Sequence, residues 1–183
     1  MRSGDVGAEM SRRAWLRAAG AGVAVSAMAR AGFGASLPDE TGEGESAPSR
    51  TEFTFAATVT IGAAVEVGAA PTGERRYIPI TGGSFAGPKI KGVVLPGGAD
   101  WQLQRRDGVL EVHALYSIKA HDGAVIIVRN DGLLADGGKY FRTMPRFQAP
   151  AGPHDWLNKS IFVGSVVGAS TPGAVVVRMF RVV

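Results

Sequence analysis

From Thr51 onward the hydrophobic and polar positions alternate with period two. Phe53, Phe55, Ala57, Val59 and Ile61 interleave with Thr54, Ala56, Thr58 and Thr60, the pattern of a strand with one buried face. Val65, Glu66 and Val67 extend that strand past a bend at Gly62. Further short apolar or alternating runs cover residues 76–80, 90–95, 99–106, 109–120, 124–130, 140–148, 160–168 and 174–182. Turn-forming residues separate them: Gly82-Gly83, Gly87-Pro88, Pro96-Gly97-Gly98, a Pro- and Gly-rich loop at 149–153, and Thr171-Pro172-Gly173. Asp107-Gly108, Asp122-Gly123 and Asp131-Gly132 are the strongest hairpin signals, because the first turn residue tolerates positive φ and the glycine favours it. Asp136-Gly137-Gly138 closes a looser loop, and Trp156-Leu157-Asn158 reads either as one helical turn or as a strand entry.

The pattern predicts an all-β domain at residues 51–183, with about nine or ten strands and no long helix. A sandwich and a barrel both fit such spacing. A single antiparallel β-barrel of about 8–10 strands is the expected fold, because closure leaves the long central strands no edge to protect. The 26 glycines and 10 prolines agree with this: both destabilise helix interiors and both are at home in turns.

The N-terminus differs in kind. Ser11-Arg12-Arg13-Ala14-Trp15-Leu16-Arg17 precedes a mildly apolar Ala- and Gly-rich run at 18–29. Paired arginines followed by Trp15 and Leu16 resemble the twin-arginine export motif, with Trp15 and Arg17 standing where Phe and Lys are usual. The run is too short to span a bilayer, so it predicts no stable membrane anchor. Residues 1–36 are therefore expected to be a signal peptide read by the twin-arginine export machinery and cleaved near Ala29-Arg30-Ala31 or Gly34-Ala35-Ser36. The cargo would then be periplasmic or secreted. A disordered Ala-rich tail or a short amphipathic helix is the alternative reading. Residues 37–50, with Pro38, Gly42, Gly44 and Pro48 among four acids, read as a flexible linker.

Charge changes the picture once it is located. The chain carries a formal +4, but residues 1–36 hold five arginines and two acids, leaving 15 basic and 14 acidic side chains on the remainder. A nucleic-acid binder would carry a basic stripe on its folded domain, and only the pairs Arg75-Arg76 and Arg105-Arg106 stand out here. Nucleic acid is not an expected partner. The absence of cysteine removes disulfides, thiolate metal sites and a thiol nucleophile. The three histidines, His113, His121 and His154, have no metal-binding spacing. No phosphate loop or nucleophile-elbow motif occurs, so no cofactor and no metal are expected.

Five ordered blocks carry a family resemblance. They are Tyr77 through Pro88; Leu95 through Trp101; Asp122-Gly123 with Val128-Arg129-Asn130; Tyr140 through Phe147; and Trp156-Leu157-Asn158 with Phe162-Val163-Gly164. Together they resemble the bacterial UPF-type family known as domain of unknown function 3237, over about residues 52–183. The resemblance implies an antiparallel barrel related to allene oxide cyclase and plant dirigent proteins. Such proteins bind apolar or aromatic small molecules and guide ring closure or coupling without a cofactor. It also implies a homo-oligomer. One block departs from the family: Glu111-Val112-His113-Ala114-Leu115-Tyr116 stands where many members have E-x-D-x-R-Y, so His113 replaces an acid and Leu115 an arginine. That departure either alters a pocket or removes a structural ion pair.

Within this frame Asp100, Arg142 and Tyr116 are the candidate catalytic residues. Asp100 shares a strand face with Gln102 and Gln104, which suits a polar lumen, a wet surface or a turn cap; Trp101, opposite, is expected in the core. Arg142 could hold an anionic oxygen, or pair with Asp100 or Glu111. Tyr116 shares a face with Val112, Ala114 and Ile118 and is a wall residue first, a proton donor second. Candidate ligand-binding residues are Arg129, which interrupts an apolar strand, Tyr140 beside Arg142, Glu111, His113, Trp156 and Asn158. Trp156 also fits as a structural plug. Three functions follow as alternatives: a cofactor-free isomerase, cyclase or lyase; a non-catalytic ligand-binding barrel; or a structural oligomeric barrel filled by its own side chains.

Overall fold

The computed structural model describes residues 48–183. The proposed signal peptide, and residues 37–47 of the proposed linker, lie outside the described residues.

Ten strands alternate as the sequence pattern requires: β1 (Thr51–Ile61), β2 (Val65–Ala70), β3 (Gly73–Ala86), β4 (Lys91–Val94), β5 (Gly98–Arg105), β6 (Leu110–Ala120), β7 (Val125–Ala135), β8 (Tyr140–Gln148), β9 (Phe162–Gly168) and β10 (Ala174–Val182). Every pairing is antiparallel, and β1 pairs both β10 and β3, which closes the sheet on itself. The result is an eight-stave barrel. Ten strands make eight staves for two reasons. First, β4 and β5 lie end to end between β3 and β6, pairing different halves of each. Second, β2 continues the stave of β1 along β3 past Gly62. A barrel of this stave number has an interior that its own side chains fill, or that holds one small ligand.

Two turn signals act differently from expectation. Asp131-Gly132 is not a hairpin turn: β7 runs straight through it, paired on one side to β6 and on the other to β8. An Asp-Gly pair turns a chain only where no neighbour on either side holds it extended. Here both do, and Gly132 is needed because a Cβ would lie 2.5 Å from the Thr143 Cγ2. Likewise Gly82-Gly83 does not end β3. Both adopt φ near +140° (146° and 137°), a region that favours glycine. A Cβ on Gly83 would collide with the Thr58 carbonyl at 2.1 Å, so the glycines let β3 bend around the barrel instead of stopping.

The barrel fills unevenly. At the end where β1 begins, Phe55 packs on Phe85 (ring centroids 5.1 Å) and on Phe147 (5.9 Å), and Phe147 packs on Phe162 (4.9 Å). Each such contact adds about 0.5–1.5 kcal/mol beyond area burial. A 3₁₀ turn, Asp155–Lys159, buries Leu157 and sets Trp156 6.1 Å from the Phe162 ring. Trp156 thus belongs to the plug. Asn158 clamps the same loop: its Oδ1 accepts from Ala149 N (2.8 Å) and its Nδ2 donates to the Ala149 carbonyl (2.9 Å). Buried His154 ties the loop to the β6–β7 turn, with Nε2 2.9 Å from Asp122 Oδ2.

Candidate functional site

Beyond the aromatic plug the barrel holds a cavity of about 100 Å³. This is the order of size of an apolar hole that admits a benzene ring. Its lining is divided. Val59, Ile61, Ile78, Ile80, Val166, Val175 and Val177, from β1, β3, β9 and β10, form a hydrocarbon wall. Asp100 and Gln102 of β5, Tyr116 of β6, Asn130 of β7 and Thr143 of β8 supply the polar side chains, all from four consecutive staves.

Strand register explains the polar stripe. Asp100 lies opposite Ala114, and Ala114 opposite Asn130, so the three form one inward row. Two strand spacings put roughly 10 Å of wall between Asp100 and Asn130, and the small Ala114 leaves the space between them open. One row toward the far end, Gln102, Val112, Gly132, Thr143 and Gly164 are in register. Thr143 therefore stands between two glycines. Gly98 serves Tyr116 in the same way: a Cβ there would sit 2.5 Å from the Tyr116 Cβ.

Among the described residues Asp100 is the only acid lining the cavity, and its orientation is over-determined. The backbone N–H of His113 donates to Oδ1 (3.0 Å), and Gln102 Nε2 donates to Oδ2 (2.7 Å). Gln102 is itself fixed, since Arg76 Nε donates to its Oε1 (2.8 Å). Arg76 shares the inward parity of Ile78 and Ile80. Burial raises the Asp100 pKa above the ordinary value; the hydrogen bonds from Gln102 and His113, and the His113 and Arg76 charges, only partly offset it. Burial likewise pushes the Tyr116 phenol up. Both groups thus favour the protonated form more than they would in water. A carboxyl so placed suits proton transfer to and from a bound molecule.

Of the residues singled out in the sequence, the structure brings Asp100 and Tyr116 to the cavity and leaves the others outside it. Arg129, Arg142, Tyr140, Glu111 and His113 stand on the outer face, one residue out of phase with Asn130, Thr143, Phe141, Val112 and Ala114. A barrel strand alternates strictly, so none of the five can reach the interior. Arg142 stacks on Tyr140 (5.5 Å) and pairs with neither Asp100 nor Glu111. Arg129 Nε donates to Asp131 (2.9 Å), and His113 Nδ1 lies 3.0 Å from the same carboxylate. Although burial opposes it, these two partners hold Asp131 below the usual range. The His113 and Leu115 departure is therefore a feature of the outer wall, not of the cavity. Trp101 is not a core residue either: it is 50% exposed and stacks on Tyr77 at 4.6 Å. Trp156 and Asn158 serve the plug.

Sequence reasoning gave no role to Arg76, Asn130 or Thr143. The parity of Asn130 with Ile126 and Val128 was available, but the unbroken apolar run 124–128 hid it. Among the described residues, no group of three His, Cys, Asp or Glu side chains is placed to hold a metal ion.

Fold and site together define a closed antiparallel β-barrel with a small, mostly apolar lumen and a half-buried acid at its wall. More particularly, the chain belongs to the family described as protein of unknown function (DUF3237), whose model matches residues 49–182. It is similar to a UPF0311 protein of Rhodopseudomonas palustris, 39% identical over 131 residues, spanning 63% of this chain and 86% of that one. A solved β-barrel-like protein of Acinetobacter baumannii, 30% identical, superposes with a TM-score of 0.67 over 75% of this chain and 98% of its own. A hydroalkoxylation enzyme of Penicillium herquei is 30% identical over 111 residues, 61% of this chain and 70% of that protein.

Proposed function

We propose that the barrel binds a small, largely apolar ring compound and catalyses its isomerisation or ring closure by proton transfer through Asp100, without a cofactor. The observation that carries this reading is Asp100 itself: a carboxyl with a raised pKa, held by two donors, facing a cavity whose opposite wall is hydrocarbon. Ring closure by adding an O–H across a C=C bond needs nothing more than this chemistry. Carbon accepts a proton from the carboxyl, the C–O bond forms, and the hydroxyl proton returns to the carboxylate. A hydroalkoxylation enzyme among the relatives supports that reaction class, as does the resemblance to allene oxide cyclase and dirigent barrels.

Incubating the purified domain with a panel of alkenyl phenols and related aromatic compounds tests the proposal. Turnover by the wild type that falls at least a hundredfold in Asp100→Asn is expected, since general acid–base groups contribute about 10²–10⁴-fold. Undiminished turnover in that variant refutes the assignment. We propose in addition that residues 1–36 direct export by the twin-arginine route. A reporter fused after residue 50 should reach the periplasm, and Arg12→Lys with Arg13→Lys should retain it inside the cell.

A further inference from the structure

Two polar atoms in the cavity are left without work. Asn130 is 4% exposed and Thr143 3% exposed, and among the described residues neither Asn130 Oδ1 nor Thr143 Oγ1 has a hydrogen-bond partner. Leaving a buried polar atom unserved is unfavourable, so one that persists beside a cavity calls for an explanation. The surroundings are built around these two. Gly132 and Gly164 flank Thr143 on both sides, and a Cβ on Gly164 would lie 2.3 Å from its Oγ1. Ala114 clears the floor between Asn130 and Asp100. Both residues belong to the polar stripe, across the lumen from the valine and isoleucine wall.

We propose that Asn130 and Thr143 form a seat for a hydroxyl group of the ligand, so that the barrel selects a hydroxylated ring over a hydrocarbon or an ether of the same shape. The inference rests on the cavity being the binding site, and it names the class of molecule. A hydroxyl donates its proton to Asn130 Oδ1 and accepts from the Thr143 hydroxyl, serving both atoms at once. The ring then lies against the apolar wall with its oxygen edge toward β5–β8, and Asp100 reaches the same molecule across Ala114. A hydrocarbon would leave both atoms unserved, and an ether would leave the Asn130 oxygen without a donor.

The test compares phenol, anisole and toluene by NMR titration or calorimetry on the wild type, Thr143→Val and Asn130→Leu. Both substitutions keep the shape of the side chain and remove its polar atoms. The expected result is phenol binding at least tenfold tighter than toluene or anisole in the wild type, with that preference lost in Thr143→Val. Thr143→Val alone decides the matter if Asn130→Leu does not fold. Phenol and toluene binding equally to the wild type overturns the hydroxyl seat while leaving the cavity as a binding site. Anisole matching phenol overturns it as well. No binding of any ring compound overturns the cavity reading, and this inference with it.

Discussion

Asp100→Asn tests the electrostatics of the cavity independently of any substrate. The substitution preserves shape but alters the match to two donors. Gln102 Nε2 and the His113 N–H both point at the carboxyl. An amide offers a single acceptor oxygen, so one donor must face an NH₂ group. An unmet donor of this kind is worth about 1–3 kcal/mol. Against this stands the burial that raises the Asp100 pKa above the ordinary value of an aspartate. Between the unfolded value and the raised folded one, the folded state holds the proton more tightly. Wild-type stability therefore falls as pH rises through that window and stays reduced above it. The variant lacks that dependence. Asp100→Asn should be less stable than wild type by about 1–3 kcal/mol at about pH 3.5, and the gap should narrow toward pH 7. Urea unfolding at a series of pH values, with both proteins measured in parallel, reads it directly. A gap that widens toward neutral pH would refute the reasoning. It would mean that the donors and Arg76 outweigh burial and that the carboxylate is held in its ionised form.

Three further outcomes follow from the same geometry. Arg76→Met removes a positive charge and frees the Gln102 amide, so the Asp100 pKa should rise further; carbon-13 NMR of the carboxyl measures it, and an unchanged or lower value contradicts the relay. Gly98→Ala forces a Cβ to within 2.5 Å of the Tyr116 Cβ and should cost about 1–3 kcal/mol in chemical unfolding, a loss absent if Tyr116 has room to move. His113→Ala and Arg129→Ala act on the outer wall at an exposed ion-pair cluster, so each should change stability by no more than about 1 kcal/mol and leave ring-compound affinity unchanged. A several-fold affinity loss in either would place the outer wall in contact with the site.

The alternation from Phe55 to Ile61 stated directly which residues face inward, because a half-buried strand writes its two faces into successive positions; Phe53, expected on that buried face, is exposed and Thr54 is buried, because the register shifts between Phe53 and Phe55. Of the plug, only Trp156 was legible, because the Phe55, Phe85, Phe147 and Phe162 rings come from strands far apart in the chain. Tyr116 could be placed because Val112, Ala114 and Ile118 share its face, whereas beside Asp100 the bulk of Trp101 pointed to the wrong face as the core. The sequence by itself therefore determined the all-β class and the positions of the strands.

What it could not determine is which strands meet. Arg129 and Arg142 drew notice as charges in apolar or aromatic strands, yet the residue beside each, Asn130 and Thr143, faces the lumen. Asp131-Gly132 had every local mark of a turn, and only β6 and β8 pairing on either side keeps it extended. The row from Asp100 through Ala114 to Asn130 joins residues from three strands. The Arg76–Gln102–Asp100 chain likewise joins β3 to β5. Such neighbours are fixed by register and closure, which depend on hydrogen bonds between strands distant in the chain. Local periodicity says which way a side chain points. Only the closed barrel decides what it faces when it gets there.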